Sequence, residues 1–282
     1  SVSICPIGIN PDDFEATDAS RHALAQLRAK LLVGAPRDGE NGAGGGGGQR
    51  RRRRLVASVD RLDRCKGIPQ KLLAMESLLE RYPQHRGEVV MTVVLHDRSR
   101  HHADDALRSS VDGLVGRVNG RFGRADYCPV HYIKRTLPHE QIVALYAAAD
   151  VGLVTSVREG INTCAMEFVA CQGNDSTGAE EGAREGVLVY SEFAGCASSF
   201  KGALVVNPYD ADAIADAIHS ALGMSRTARQ VRHHQLARYV RTYTSVGSGP
   251  SGMKLRPFSP RLRYVHTYTS ELWANRLARE LR

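Results

Sequence analysis

The chain has 282 residues, of which 42% are hydrophobic, and it carries a formal net charge of +8. This length allows one large domain or two small ones, and the apolar fraction is sufficient for a sizeable core. Because no apolar run approaches the roughly 20 residues of a membrane span, we expect neither a membrane segment nor a membrane partner.

Low-complexity sequence interrupts the chain at three places. Residues 37–54 join a glycine run to an arginine run, and we predict a disordered insertion there, because ordered glycine costs entropy and like charges repel. Residues 173–186 are predicted to form a polar surface loop, and residues 244–262 a second insertion. These interruptions leave an N-terminal segment over 1–36, a main domain over 55–243 and a C-terminal helix over 263–282.

Short apolar runs alternate with helix-length amphipathic segments from residue 55 onwards. Strands are predicted over residues 55–59, 89–95, 130–133, 151–155, 186–190 and 203–206. Helices are predicted over residues 67–83, 103–119, 139–149, 161–171 and 210–224. Strands separated by helices pair in parallel through crossover connections, so this order predicts an α/β fold: a Rossmann-like parallel sheet with helices on both faces.

Two cations lie between the first predicted strand and the first predicted helix. Arg61 follows the strand directly, and Lys66 precedes the helix start. In an open α/β sheet ligands bind at the carboxyl ends of the strands, which is where this loop would lie. A guanidinium binds two phosphate oxygens at once, an ammonium adds a mobile charge, and a helix N-terminus favours anions. The pair indicates a diphosphate site; the alternative is an ordinary surface loop with two exposed cations.

A second candidate site follows the predicted strand at 151–155. Gly160 allows close approach of a ligand to the backbone, and the N–H groups of residues 162–164 are unpaired at the start of the next helix. Glu159 and Glu167 are carboxylates that accept hydrogen bonds from sugar hydroxyls. Alone, this pattern also fits a capped helix with two solvated carboxylates. Cations at one strand end and carboxylates at another together predict a nucleotide sugar as the ligand.

Ordered motifs in and beyond these loops resemble those of one enzyme family. RLDRCKG at residues 61–67 resembles the pattern R-L-D-Y-x-K-G, and SVREGINTCAME at 156–167 resembles S-x-R-D-G-M-N-L-V-x-x-E. VLVYSEFAG at 187–195 and VVNPYD at 205–210 also match. The chain is therefore similar to trehalose-6-phosphate synthases, retaining glycosyltransferases of family 20 with a two-domain GT-B fold. The resemblance implies the C-terminal, donor-binding half of that fold, with residues 1–36 as the linker and helix leaving a missing N-terminal half.

The resemblance implies a reaction and a set of donor contacts. Glucose would pass from UDP-glucose to glucose 6-phosphate, giving trehalose 6-phosphate and UDP, although this chain alone is expected to be inactive. The implied donor-binding residues are Arg61, Lys66, Leu137, Glu159, Gly160, Ile161, Asn162, Thr163, Cys164 and Glu167. Arg61 and Lys66 are the implied catalytic pair, because they would neutralise the charge developing on the UDP leaving group.

The remaining donor contacts follow from the positions of the matched motifs. Leu137 would lie next to the uracil and Glu167 would bind the ribose, while Arg100 would contact the acceptor phosphate. Glu159 stands where the family has an Asp that contacts the donor glucose. The backbone of residues 162–164 would meet the glucose and the phosphates.

The resemblance also implies what accompanies the enzyme. We expect no cofactor and no metal ion, since the cationic pair replaces one; UDP-glucose is a substrate. Candidate protein partners are a fused phosphatase domain or other synthase subunits, and nucleic acid is not expected. The six cysteines are scattered without paired spacing, which is typical of a reducing compartment, so we expect a cytoplasmic protein.

Two other functions remain open. The replacement of Asp by Glu159 and the missing half favour a catalytically inactive, synthase-like regulatory or binding module. The arginine run at residues 50–54 allows a nucleic-acid-associated protein, whose binding would depend on salt.

Overall fold

The computed structural model describes residues 9–34, 52–96, 105–173 and 185–244. Its strands are β1 (Arg54–Arg61), β2 (Val89–His96), β3 (Val130–Ile133), β4 (Val151–Val154), β5 (Val187–Ser191) and β6 (Leu204–Val206). Its α-helices are α1 (Asp18–Leu31), α2 (Ile68–Arg81), α3 (Asp105–Phe122), α4 (His139–Ala148), α5 (Thr163–Ala170), α6 (Ala211–Gly223) and α7 (Arg226–Thr244). The strands and helices predicted between residues 55 and 224 are all present, with ends shifted by a few residues.

The strands form a six-stranded parallel sheet in the order β3-β2-β1-β4-β5-β6. β1 and β2 pair along their full length, from Arg54 opposite Val89 to Arg61 opposite His96. The chain runs outward from β1 in one direction, and then returns to place β4 on the other side of β1. In such a sheet the carboxyl ends of the two strands at the reversal flank a crevice, which is the usual ligand site.

The core lies on both faces of the sheet, which confirms the predicted α/β architecture. Successive residues of a strand point to opposite faces, and β1 follows this rule. Leu55, Ala57 and Val59 pack with residues from α1, α4, α5 and α7. Val56 packs on the opposite face with residues from α2, α3 and α6. Both faces of the central strands are therefore covered, as expected for parallel strands.

The end of the predicted disordered insertion differs from expectation. Residues 35–51 lie outside the described ranges, but β1 already begins at Arg54. Arg53 is only 8% exposed and donates to the carbonyl oxygen of Asp126 at 2.5 Å. Arg54 pairs with Asp150 at 2.7 Å. These arginines are ordered because each meets an acceptor at the amino end of the sheet.

The helix α7 was not among the predicted elements. Its sequence is strongly basic, and its buried apolar residues include Leu236 and Val240, one turn apart. Arg229 is 5% exposed and donates to the carbonyl oxygens of Ala221 and Leu222 at 2.7 and 3.2 Å. This side chain satisfies the carbonyl groups left unpaired at the end of α6. Across the described ranges, no helix is long and apolar enough to cross a membrane.

Candidate functional site

The two predicted loops meet at the carboxyl ends of β1 and β4. Cys65, in the first loop, accepts a hydrogen bond from the backbone N–H of Val157 at 2.8 Å. The Thr155 hydroxyl donates to the carbonyl oxygen of Gly67 at 2.8 Å. Gly67 has φ = 62°, and a β-carbon there would lie 1.9 Å from the carbonyl oxygen of Thr155. Only glycine allows this approach, which holds the first loop against the second.

The two predicted cations differ in their surroundings. Arg61 ends β1, and its exposed side chain makes no hydrogen bond or ion pair with any residue that the structure describes. Lys66 ends a short 3-10 turn, Arg64–Lys66, in which Asp63 accepts a hydrogen bond from the N–H of Cys65 at 2.9 Å. The Lys66 side chain is only 10% exposed and forms an ion pair with Glu159. Of the two predicted cations, Arg61 is therefore without a partner among the described residues and Lys66 is already neutralised.

Glu159 lies at the centre of a hydrogen-bond network in the second loop. One carboxylate oxygen accepts from Lys66, and the other accepts from the Ser156 hydroxyl at 2.5 Å and the Asn162 amide at 2.7 Å. Burial raises the pKa of Glu159, but the hydrogen bonds from these partners outweigh burial and hold the pKa below its usual range. Ser156 is itself fixed, since its carbonyl oxygen accepts from the Ser191 hydroxyl at 2.6 Å. Glu159 is therefore an ionised carboxylate in a fixed position.

The start of α5 supplies the predicted backbone groups. Asn162 is 1% exposed and caps the helix by accepting from the N–H of Ala165 at 2.9 Å. Thr163 and Cys164, the first helical residues, are both half-buried. Burial raises the pKa of the Cys164 thiol to about 12, so this thiol stays protonated at neutral pH. The cysteine thus acts here as a small neutral side chain.

The backbone before α5 is open to a ligand. A β-carbon added to the exposed Gly160 would meet nothing within 4 Å. The N–H of Gly195 donates to the carbonyl oxygen of Gly160 at 2.7 Å, which fixes this open stretch to the loop after β5. Ile161 packs partly buried against the core. A ligand can therefore approach the backbone at Gly160 closely.

The remaining predicted residues lie further along the same edge. Glu167 is half-buried on α5, and burial raises its pKa, against a hydrogen bond with Thr163 and the nearby charge of His139. Leu137 precedes α4, is 9% exposed and packs in the core. His139 begins α4, and the helices α4 and α5 contact each other. Arg100 lies outside the described residues.

A buried ion pair beneath the loop was missed by the sequence analysis. Lys71, on α2, is 0% exposed and bonds the carboxylate of Asp60 and, at 2.6 Å, the hydroxyl of Ser58. Ser58 in turn donates to Asp60 at 2.7 Å. The pair ties the end of β1 to the first turns of α2, on either side of the loop that carries Arg61 and Lys66. The sequence signal for this pair was Asp60, an aspartate within the otherwise largely apolar strand β1.

Within residues 9–34, 52–96, 105–173 and 185–244, no group of three or more His, Cys, Asp or Glu side chains is placed to hold a metal ion.

Comparison with known proteins gave consistent matches. The family model described as Glycosyltransferase family 20 matches residues 48–247. The 56 kDa subunit of the UDP-forming alpha,alpha-trehalose-phosphate synthase of Saccharomyces cerevisiae is 38% identical over 246 residues, which is 87% of this chain and 45% of the relative. The UDP-forming synthase 2 of Aspergillus fumigatus is 39% identical over 252 residues, 89% of this chain and 47% of the relative. The chain thus spans about half the length of these relatives.

Solved structures match the fold equally well. A UDP-forming synthase from Burkholderia xenovorans, in complex with glucose-6-phosphate, is 33% identical with a TM-score of 0.69, covering 84% of this chain and 47% of that one. A structure from E. coli, described as bound with UDP-2-fluoro glucose, is 34% identical with a TM-score of 0.67, covering 83% of this chain and 46% of that one.

Proposed function

The chain belongs to glycosyltransferase family 20, and we propose that it binds UDP-glucose as the donor half of a trehalose-6-phosphate synthase. Its activity would be the transfer of glucose to glucose 6-phosphate, completed by an N-terminal half of the GT-B fold. One observation carries this proposal. The loop with Arg61 and Lys66 is hydrogen-bonded to the loop with Glu159 at the point where the sheet order reverses.

The chemistry of the proposed reaction requires positive charge at this edge. Breaking the bond between glucose and UDP leaves negative charge on the diphosphate. The exposed guanidinium of Arg61 is free to bind two phosphate oxygens. Together with Lys66 it would stabilise the charge that develops as the bond breaks, without a metal ion. Arg61 and Lys66 are therefore the proposed catalytic residues.

The rest of the donor would extend along the edge towards α4. The open backbone at Gly160 and the N–H groups of residues 162–164 would contact the glucose and phosphates. Glu167 would accept hydrogen bonds from the ribose, and such donors would offset the effect of burial on its carboxylate. Leu137 would contact the uracil. Arg100 is proposed as an acceptor contact from the sequence resemblance.

The relatives support both substrates and one class of partner. The structures that match this chain include one with glucose-6-phosphate and one with a UDP-fluoroglucose. The yeast relative is named as a subunit, which supports other synthase subunits as partners; a fused phosphatase domain is the further candidate. We place the reaction in the cytoplasm, where its nucleotide-sugar and sugar-phosphate substrates are found.

A second function is favoured by the Lys66–Glu159 pair. Since Glu159 already neutralises one of the two cations, the chain could bind a donor weakly and serve as a regulatory, non-catalytic module. Donor binding is common to both functions, so it is the property to test first.

Thermal unfolding with UDP tests the donor site. A ligand at a hundredfold excess over its Kd adds about 2.7 kcal/mol to the free energy of unfolding, or roughly 5–10 °C in Tm for a domain of this size. We expect UDP to raise the Tm of the wild type and not of Arg61→Ala. Arg226→Ala is the matched control, because Arg226 is an exposed arginine at the start of α7. An absent shift with millimolar UDP, or an equal shift in Arg61→Ala, would rule out this site.

A further inference from the structure

Both oxygens of the Glu159 carboxylate accept hydrogen bonds within the site. One accepts from Lys66, and the other accepts from Ser156 and Asn162. The sequence resemblance expects an aspartate here, one methylene shorter. The longer side chain of Glu159 contacts Lys66 of the first loop with one oxygen, while its other oxygen accepts from Ser156 and Asn162.

Lys66 needs a counter-charge whether or not a donor is bound. Its side chain is 10% exposed and that of Glu159 is 15% exposed, so both charges are largely removed from water. A buried ammonium without a partner is strongly destabilising. The counter-charge in the free chain is Glu159; the diphosphate of a donor is chemically equivalent to it, since both present anionic oxygens.

We propose that Glu159 competes with the donor's diphosphate for Lys66 and thereby lowers the affinity of the site for the donor. The inference rests on the proposed function, because it requires UDP to bind at this loop. Donor binding then exchanges one ion pair for another. Arg61, which has no partner among the described residues, makes the first contact with the diphosphate, and Lys66 follows when it leaves Glu159.

This exchange predicts two changes of opposite sign in Glu159→Gln. The free chain loses the counter-charge of a buried lysine, so its Tm falls. UDP restores a counter-charge, so its affinity for the variant rises, by about tenfold if the ion pair costs the donor about 1.4 kcal/mol. A residue with only a structural role would lower the Tm without raising the affinity.

Calorimetric titration with UDP, together with Tm measurements, separates these cases. Glu159→Asp is the second variant, because a shorter carboxylate cannot hold Lys66 and Ser156 at once; it too is expected to bind UDP more tightly. Glu192→Gln is the matched control, since Glu192 is an exposed carboxylate directly after β5 and its substitution removes the same charge.

The outcomes distinguish the inference from the proposed function. Tighter binding in both Glu159 variants than in the wild type, with Glu192→Gln unchanged, supports the inference. If both Glu159 variants bind UDP as tightly as the wild type or more weakly, and Arg61→Ala does not bind UDP, the inference is overturned and the donor site stands. A lack of UDP binding by the wild type and every variant overturns the proposed function and the inference with it.

Discussion

Replacing Lys71 with methionine tests whether the buried ion pair beneath the site is structurally essential. Lys71 is 0% exposed and Asp60 is 3% exposed, so the substitution leaves a carboxylate in the core without its cation. Breaking a buried pair in this way costs about 3–5 kcal/mol. For a domain of this size that corresponds to a fall in Tm of roughly 6–20 °C.

Urea unfolding of matched variants measures this cost. Lys134→Met is the control, because Lys134 and Asp112 form an ion pair whose side chains are both 43% exposed; such a surface pair contributes at most about 1 kcal/mol. The double variant Lys71→Met/Asp60→Leu should recover part of the loss, since it leaves no buried charge unpaired. Equal losses for Lys71→Met and Lys134→Met would refute the assignment of Lys71 and Asp60 as a buried pair.

Two other substitutions test the loop and a half-buried histidine. Gly67→Ala forces a left-handed backbone on alanine and a contact with the Thr155 carbonyl oxygen, so the free energy of unfolding should fall by about 2–5 kcal/mol. Gly113→Ala is the control, because Gly113 lies on an open helix surface and its substitution should not lower that free energy. Equal losses for the two variants in urea titrations would contradict the close approach of Gly67 to Thr155. Burial lowers the pKa of His85 to about 4. The contribution of the neutral imidazole to the free energy of unfolding is therefore complete above pH 6.5 and is lost as the pH falls towards 4. After allowance for solvent screening this is about 1 kcal/mol. Tm values at pH 7 and pH 5 should therefore differ less in His85→Gln than in the wild type or in a His22→Gln control. An identical pH response in all three proteins would contradict the lowered pKa of His85.

The sheet and the two loops could be predicted because their signals are local. β2 is an apolar run rich in β-branched residues, which indicates a strand buried on both faces. The predicted helix at residues 67–83 includes Gly67, whereas the structure has it as the left-handed residue before α2. Since parallel strands end at one edge, the loops after β1 and β4 could be placed on the same side of the sheet. The direct contact between these two loops could not be predicted, because it requires β1 and β4 to be neighbours in the sheet, and the sequence pattern does not give the strand order.

The contacts that set the charge of the site could not be predicted in the same way. Lys66 and Glu159 are far apart in the sequence and meet only because β1 and β4 are neighbours. The pairing of Lys71 with Asp60 depends on the rotation of α2 about its axis, which a helical pattern of apolar residues fixes only approximately. The basic sequence of α7 has little apolar periodicity, so neither the helix nor the hydrogen bonds from Arg229 to the end of α6 could be predicted.

Calorimetric titration of the chain with UDP, in buffer containing EDTA, tests the donor site most directly. The cationic loop predicts saturable binding of one UDP per chain without a metal ion, lost in Arg61→Ala and retained in Arg226→Ala. No heat of binding at millimolar UDP, or binding that survives the loss of Arg61, would contradict the assignment of this loop as the diphosphate site.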